Sequence, residues 1–216
     1  MAAEYDAIIS IHLSEKFSGT GKAARMAATQ FDDLDIRVID SRSVSLGTGY
    51  LVLLAARLIR SGYGPDEIVE KIEKARDNIF IYFTVNDLSY LQKGGRIGKA
   101  QAFLGSILNV YPVLSLPGNS GEILPLEKVR GKKKIIKRLV KLAMEELEGV
   151  NNACLGLVHG TNLDVFNNFK EMLKNRLSEK ESFEYRMDVE WISSVLGCHV
   201  GPSVYGIVIF KGDFLK

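Results

Sequence analysis

Short apolar runs alternate with helical repeats over the first third of the chain. An apolar run of strand length indicates a strand, and apolar residues at helical spacing indicate a helix. Strands are predicted over residues 5–13 and 36–40, and helices over residues 19–31, 44–60 and 65–76. Pro65, followed by Asp66 and Glu67, is typical of a first helical turn. Strands that alternate with helices in this way predict a parallel, doubly wound sheet.

The pattern changes at residue 79, where a strongly β-forming segment begins and the strands become more widely separated. Strands are predicted near residues 79–85, 110–116, 121–129, 152–159, 183–190 and 204–210, and helices near 86–93, 99–108, 131–148 and 163–178. We therefore expect an α/β protein with two domains, one over residues 1–78 and the other over residues 79–216.

The composition narrows the range of functions. Among 216 residues, 28 basic and 26 acidic side chains give a formal net charge of +2, so no global field favours nucleic acid or an anionic membrane as partner. Cys154 and Cys198 lack the clustered spacing of a zinc site or a disulfide framework. The first residues show neither a basic leader nor a spanning run, so we expect a cytoplasmic protein without stable membrane insertion.

The loop Ser18-Gly19-Thr20 lies where the first strand gives way to a helix. Free backbone N–H groups and two hydroxyls meet there at the positive end of a helix dipole, which favours an anion. A nucleotide-binding P-loop is excluded, because Lys16 stands at the first glycine position and Ala23 follows the lysine. The alternative is that Ser18 only caps the helix.

Two later clusters contain an arginine next to glycine. In the first, a short helix is stopped by Gly94 and Gly95, one of which we expect at positive φ, and Arg96 either pairs with a carboxylate or has a structural role. In the second, a strand delivers Arg130 to the start of the helix over 131–148, where it offers a bidentate fork to carboxylate or phosphate.

The start of that helix carries Lys132, Lys133 and Lys134, whose charges oppose the helix dipole. Either this is a solvated face that tolerates the cost, or an anion binds near the helix start.

The segment from Cys198 to Ser203 places His199 before a Gly-Pro turn that leads into the last strand. The rigid turn fixes where the His199 ring points. His12 and His159 stand in no comparable setting and are interpreted as structural histidines.

Taken in this order, the clusters resemble the DegV family, whose members are similar to the acyl-binding subunits of bacterial fatty acid kinase. The matching stretches are ISIHLSEKFSGTGKAA, RVIDSRSVSLGTGYLV, FTVNDLSYLQKGGRIGKAQAFLGSILNVYPVLSL, VRGKKK and HVGPSVYG. The resemblance implies a two-domain α/β fold, in which an N-terminally incomplete, parallel Rossmann-like sheet is followed by a mixed, largely antiparallel six-stranded sheet.

The resemblance also implies a function and its residues. A long-chain fatty acid would lie in an interdomain tunnel, with its carboxylate bound by Ser18 and by the backbone amides of Gly19 and Thr20. Arg130 and His199 would lie at the same mouth and handle the phosphate when a separate ATP-dependent kinase subunit phosphorylates the carboxylate. The chain would be a carrier with no catalytic residue, no metal and no cofactor of its own, and with no nucleic acid partner.

Two departures from the family pattern affect the site. Ser203 stands where the family's turn usually has a second glycine, which predicts an altered turn near His199. The chain also opens just before the Ser-Gly-Thr strand, whereas family members begin with an additional strand and helix that carry a Thr-Ser-Gln loop. Either the chain is a truncated product, or the missing part comes from elsewhere.

Two other functions remain open from the sequence. One is a hydrolase or phosphotransferase that uses Ser18 and His199, for which Asp40 is the candidate orienting group. The other is a fragment that has lost its activity and associates with itself through an exposed sheet edge.

Overall fold

The computed structural model describes residues 5–105 and 109–212, and the following elements lie within them. The strands are β1 (Ala7–His12), β2 (Asp35–Asp40), β3 (Ile79–Thr84), β4 (Val110–Pro117), β5 (Leu124–Arg130), β6 (Asn152–His159), β7 (Glu184–Trp191) and β8 (Tyr205–Lys211). The helices are α1 (Thr20–Ala28), α2 (Ser45–Arg60), α3 (Pro65–Ala75), α4 (Ser89–Lys93), α5 (Lys132–Glu146), α6 (Leu163–Ser178) and α7 (Ser194–Val200), with short 3₁₀ helices at Arg76–Asn78 and Gly98–Phe103.

The strands form two sheets. β1 and β2 pair in parallel, from Ala7 opposite Asp35 to His12 opposite Asp40. The other six strands form one sheet in the order β5-β4-β3-β8-β6-β7, in which only the β6–β7 pair is parallel. The predicted α/β class, with a small parallel sheet and a mixed, largely antiparallel six-stranded sheet, is therefore confirmed.

The six-stranded sheet is a central layer with a hydrophobic core on each face. Because side chains alternate along a strand, neighbouring residues of one strand enter different cores. On β8, Ile207 and Ile209 pack with α5 and α6, whereas Val208 and Phe210 pack on the opposite face with α2 and α3. The core with α2 and α3 also contains Ile39 of β2, so it includes residues on both sides of the predicted domain boundary at 78/79. The boundary itself stays a prediction.

Local side chains explain where several elements begin. At α3, the backbone N–H of Gly64 donates to the Glu67 carboxylate over 3.2 Å, with Pro65 in the first turn as predicted. At α4, Asp87 accepts from the backbone N–H of Ser89 over 2.8 Å and also from its hydroxyl. Both bonds to the ionised carboxylate lower the pKa of Asp87. They also accompany a helix start at Ser89 rather than at the predicted residue 86.

Two predicted features of the second half differ from the structure. The helix predicted over 99–108 is a 3₁₀ helix over Gly98–Phe103, and residues 106–108 lie outside the described residues. The helix α7 was not predicted at all. Its first turn is capped by Ser193, whose hydroxyl accepts from the backbone N–H of Leu196 over 3.4 Å.

Candidate functional site

A cavity of about 240 Å³ lies between the six-stranded sheet and the loops that precede α1 and α2. Its wall is mostly apolar, with side chains from four strands of the large sheet: Ile81, Phe83, Leu116, Val158 and Val208. α7 contributes a further part of the wall. Since an apolar cavity of about 150 Å³ stays dry and binds benzene, this one suits an apolar ligand.

Five polar side chains interrupt the apolar wall of the cavity. They are Ser18, Thr20, Ser45, Arg96 and His199. Ser18, Thr20 and His199 were predicted as site residues, and Gly19 lies between the first two. Ser45 was not predicted, and Arg96 was given a structural role as one of two alternatives.

Two helices begin at this cavity. α1 starts at Thr20, with Gly19 as its N-cap, and α2 starts at Ser45, with Val44 as its N-cap. Neither N-cap residue caps its helix with a side chain, and neither first turn contains an acidic residue. Neither helix dipole is therefore neutralised by an acidic residue of its own first turn, which favours an anion at this place. The Glu15 carboxylate lies against Gly21 in the first turn of α1, but it is paired with Arg25.

Asp40 holds the two helix-preceding loops together. It is the last residue of β2, and its Oδ1 accepts from the backbone N–H of Arg42 over 2.8 Å and of Glu15 over 3.3 Å. A second link joins the loops where the N–H of Ser14 donates to the carbonyl of Ser43 over 2.8 Å. Asp40 does not line the cavity, so the structure does not bring it together with Ser18 and His199 as a catalytic triad would require.

The loop before α2 has a strained backbone. Arg42 has φ of 49°, and Ser45, the first residue of α2, has φ of 53°. Both values lie in the left-handed region, which residues other than glycine seldom adopt. Each such residue costs about 1–3 kcal/mol, and such strain is concentrated at functional sites. The strain accompanies the placement of Ser45 on the cavity wall. No sequence pattern predicts this backbone conformation, which is why Ser45 was not predicted as a site residue.

Arg96 links the Ser-Gly-Thr loop to the glycines after α4. Its Nε donates to the carbonyl of Phe17 over 3.0 Å, and its Nη1 donates to the carbonyl of Gly94 over 2.6 Å. The structural alternative is thus realised, and the side chain also lines the cavity. Gly95 has φ of 68°, as predicted for one of the two glycines.

His199 packs directly on this same turn. A Cβ atom at Gly94 would lie 2.5 Å from Nδ1 of His199, so only glycine leaves room for the ring. Nδ1 is buried and has no hydrogen-bond partner among the described residues. Contacts therefore run from Ser18 through Phe17, Arg96 and Gly94 to His199, and bring the two predicted side chains to one site.

The turn after His199 is tightly packed. Gly201 has φ of 81°, and a Cβ there would meet the Tyr90 ring at 2.8 Å. The backbone of Ser203 does not have a positive φ. A second glycine is therefore not needed for the backbone at this position.

Arg130 lies elsewhere. It is the last residue of the edge strand β5, opposite Val110 of β4, and it is exposed. The structure does not bring it to the cavity wall with Ser18 and His199. Its role at the phosphate stays a prediction.

The remaining histidines have structural settings. His159 is buried between the rings of Phe166 and Trp191, at centroid distances of 4.3 and 4.5 Å, and its Nδ1 lies 2.9 Å from the carbonyl oxygen of Gly160. His12 shares a hydrogen bond of 2.8 Å with Ser10.

Within the described part of the chain, no group of three or more His, Cys, Asp or Glu side chains is placed to hold a metal ion. No helix within residues 5–105 and 109–212 has the length and apolarity needed to cross a membrane.

Comparison with known proteins gives consistent matches. The sequence profile described as "Uncharacterised protein, DegV family" matches residues 1–212. Protein DegV of Bacillus subtilis is 34% identical over 208 residues, which cover 96% of this chain and 72% of that protein.

Two solved structures are similar over nearly the whole chain. A fatty-acid-binding DegV family protein from Thermus thermophilus has a TM-score of 0.87 at 31% identity, and the match covers 97% of this chain and 72% of that chain. The Bacillus subtilis DegV structure, described as that of a fatty acid binding protein, has a TM-score of 0.83 at 32% identity, covering 98% of this chain and 73% of its own.

Proposed function

Because the chain belongs to the DegV family, we propose that it binds a long-chain fatty acid, with the acyl tail in the apolar cavity and the carboxylate at the Ser18-Gly19-Thr20 loop. One observation carries the proposal. The apolar cavity opens on two helix N-termini whose N-cap residues provide no side-chain cap and whose first turns contain no acidic residue. A ligand that is apolar over most of its length and anionic at one end matches both halves of this site.

The head group has several donors within reach of the cavity. Ser18 and Thr20 supply hydroxyls, and the Ser18 hydroxyl already lies 3.3 Å from the backbone N–H of Thr20. Ser45 brings a third hydroxyl at the start of α2. Hydrogen bonds to a charged group contribute about 1.5–3 kcal/mol each, so these donors orient the carboxylate.

The tail supplies most of the affinity. Burial of each methylene yields roughly 0.8 kcal/mol, so about fourteen methylenes give on the order of 11 kcal/mol before ordering costs. A carrier of this kind shields the acyl chain from water and leaves the carboxylate accessible. In agreement, Ser18 is half-buried, whereas Gly19 and Thr20 are exposed.

We further propose that the chain presents this carboxylate to a separate ATP-dependent kinase subunit. A carboxylate oxygen would take the γ-phosphoryl group of ATP, ADP would leave, and the product would be an acyl phosphate. His199 lines the same cavity, and its buried Nδ1 has no hydrogen-bond partner among the described residues, so it is our candidate for contact with the phosphate. Arg130 would have to reach the phosphate from the end of β5. The carrier itself would catalyse nothing alone.

Mass spectrometry of an organic extract from natively folded protein tests the binding. We expect a stoichiometric fatty acid from the wild type and less from Ser18→Ala, because the variant loses one donor to the carboxylate. Ser89→Ala is the matched control, since Ser89 hydrogen-bonds Asp87 and does not line the cavity. Absence of lipid from a wild type that unfolds cooperatively would refute the proposal.

A further inference from the structure

The strand β7 leaves one long edge of the large sheet unpaired. It pairs with β6 along its whole length, from Asn152 opposite Glu184 to His159 opposite Trp191, and the register has no bulge. Among the described residues, no strand pairs with its other edge. Such an edge offers a row of free backbone donors and acceptors to another strand.

The direction of these groups follows from two hydrogen bonds. The N–H of Glu184 donates to Asn151 over 2.9 Å, and the N–H of Ile192 donates to His159 over 2.8 Å. Since alternate residues of a strand direct their N–H and C=O groups to opposite edges, the even-numbered residues face β6. The backbone N–H and C=O groups of the odd-numbered residues therefore point away from β6, to the free edge. We call these the outward residues: Tyr185, Met187, Val189 and Trp191.

The side chains of these outward residues also share one face of the strand, and that face is unusually apolar. Tyr185 and Val189 are each 41% exposed, and Trp191 is 60% exposed. The opposite face carries charged residues at 184, 186, 188 and 190.

The other edge of the same sheet is protected. β5 contains Pro125 and Lys128, and its pairing with β4 shifts register between Val113 and Leu114. Proline, lysine and irregular pairing are the usual means of keeping an edge from pairing with another chain. β7 has no proline, lysine or bulge. Of the two edges of this sheet, β5 therefore has these protective features and β7 lacks them.

We propose that β7 pairs antiparallel with β7 of a second copy of this chain across a twofold axis, so that the two six-stranded sheets become one. When the axis passes through Asp188, Arg186 of each copy faces Glu190 of the other, and Asp188 faces its own counterpart. When the axis passes through Met187, Arg186 faces Asp188 of the second copy, but Glu184 also faces Glu190, so the charges favour the axis through Asp188. Within its own strand, Arg186 also donates to Asp188. Each arrangement also joins apolar side chains, with Tyr185 opposite Val189 or Trp191.

A second copy fits this edge better than an unrelated strand. A twofold arrangement is closed, because it uses the same edge on both copies and leaves the protected edge of β5 at each end of the joined sheet. An arbitrary strand would have to bring both an apolar face and a carboxylate opposite Arg186, and β7 itself supplies both when the axis passes through Asp188.

Sedimentation equilibrium over a range of concentrations tests the proposal. We expect the wild type to approach twice the chain mass as its concentration rises. Val189→Pro should remain monomeric at the same concentrations, because the outward N–H is replaced by the proline ring while the bonds to β6 involve other residues. Val189→Thr keeps the N–H and the branched side chain, and should dimerise like the wild type.

Two further measurements keep the test decisive if Val189→Pro does not fold. Arg186→Glu should weaken the dimer at least tenfold, and adding Glu190→Arg should restore it if the axis passes through Asp188. In the wild type, hydrogen exchange at the outward amides of Met187 and Val189 should slow as concentration rises.

A wild type that stays monomeric at all concentrations would overturn the proposal. The same holds for a folded Val189→Pro variant that dimerises normally, and for a dimer in which the outward amides exchange as fast as in the monomer.

Discussion

A methyl group at Gly94 should displace His199. The added Cβ would lie 2.5 Å from Nδ1, whereas ordinary contacts begin near 3.4 Å, so the ring would have to move by 3.4 − 2.5 = 0.9 Å. Overpacking of this kind costs about 1–3 kcal/mol. The backbone torsions do not oppose the change, because Gly94 has helical φ and ψ of −72° and −11°, where alanine is favoured by about 0.5–1 kcal/mol, although the Cβ would also lie 3.1 Å from the carbonyl oxygen of Tyr90.

A double-mutant cycle separates these contributions. Gly94→Ala should destabilise the wild type in urea denaturation, but should be neutral or slightly stabilising in a His199→Ala background. The coupling free energy should be about 1–3 kcal/mol. Gly95→Ala is the control: no atom lies within 4 Å of its added Cβ, but its positive φ should cost about 1 kcal/mol in both backgrounds.

The functional result follows from the same displacement. If His199 acts at the phosphate, Gly94→Ala should slow acyl-phosphate formation by the kinase partner by about tenfold to a hundredfold and leave the bound fatty acid nearly unchanged. Additive free energies, within about 0.5 kcal/mol, would show that the ring does not pack on Gly94 and would refute the reasoning.

Three other variants test different parts of the site. Arg96→Ala removes the donor to the Phe17 carbonyl, and we expect it to lower the fatty acid content in extracts, whereas Lys93→Ala, outside the cavity wall, should not. Ser203→Gly should not improve binding, and thermal unfolding should show a loss of up to about 1 kcal/mol, because the position needs no positive φ and glycine adds only unfolded-state entropy. Val158→Phe should fill the cavity and exclude the acyl tail in the same extraction assay; undiminished lipid would place the tail elsewhere.

The sequence predicted the elements whose signals are local. The first forty residues alternate strand, helix and strand, which is enough to define a parallel pair, and the six later strands are separated by clear breaks. The start of α1 at the Ser-Gly-Thr loop and a positive φ at one of Gly94 and Gly95 also follow from residue types alone.

The features that were missed depend on tertiary contacts. α7 has seven residues and contains Gly197, so its intrinsic helix propensity is too weak to predict a helix from the sequence. Its formation depends on tertiary packing. Ser45 lies on the cavity wall with a strained backbone that Asp40 and the neighbouring loop support. The distance of Arg130 from the cavity depends on the order of strands in the sheet, which spacing along the chain does not specify.

The cavity wall has a thermodynamic consequence, since Phe83, Leu116, Val158 and Val208 belong both to the wall and to a hydrophobic core. At about 24 cal/mol per Å³, an unfilled cavity of about 240 Å³ forgoes roughly 6 kcal/mol. That is comparable to the whole folding free energy of a typical domain, about 5–15 kcal/mol. On the proposed function, a bound acyl chain would fill this part of the protein interior. A chain that had lost its lipid would then be prone to unfolding and degradation, so the amount of the protein in a cell would follow the supply of fatty acid.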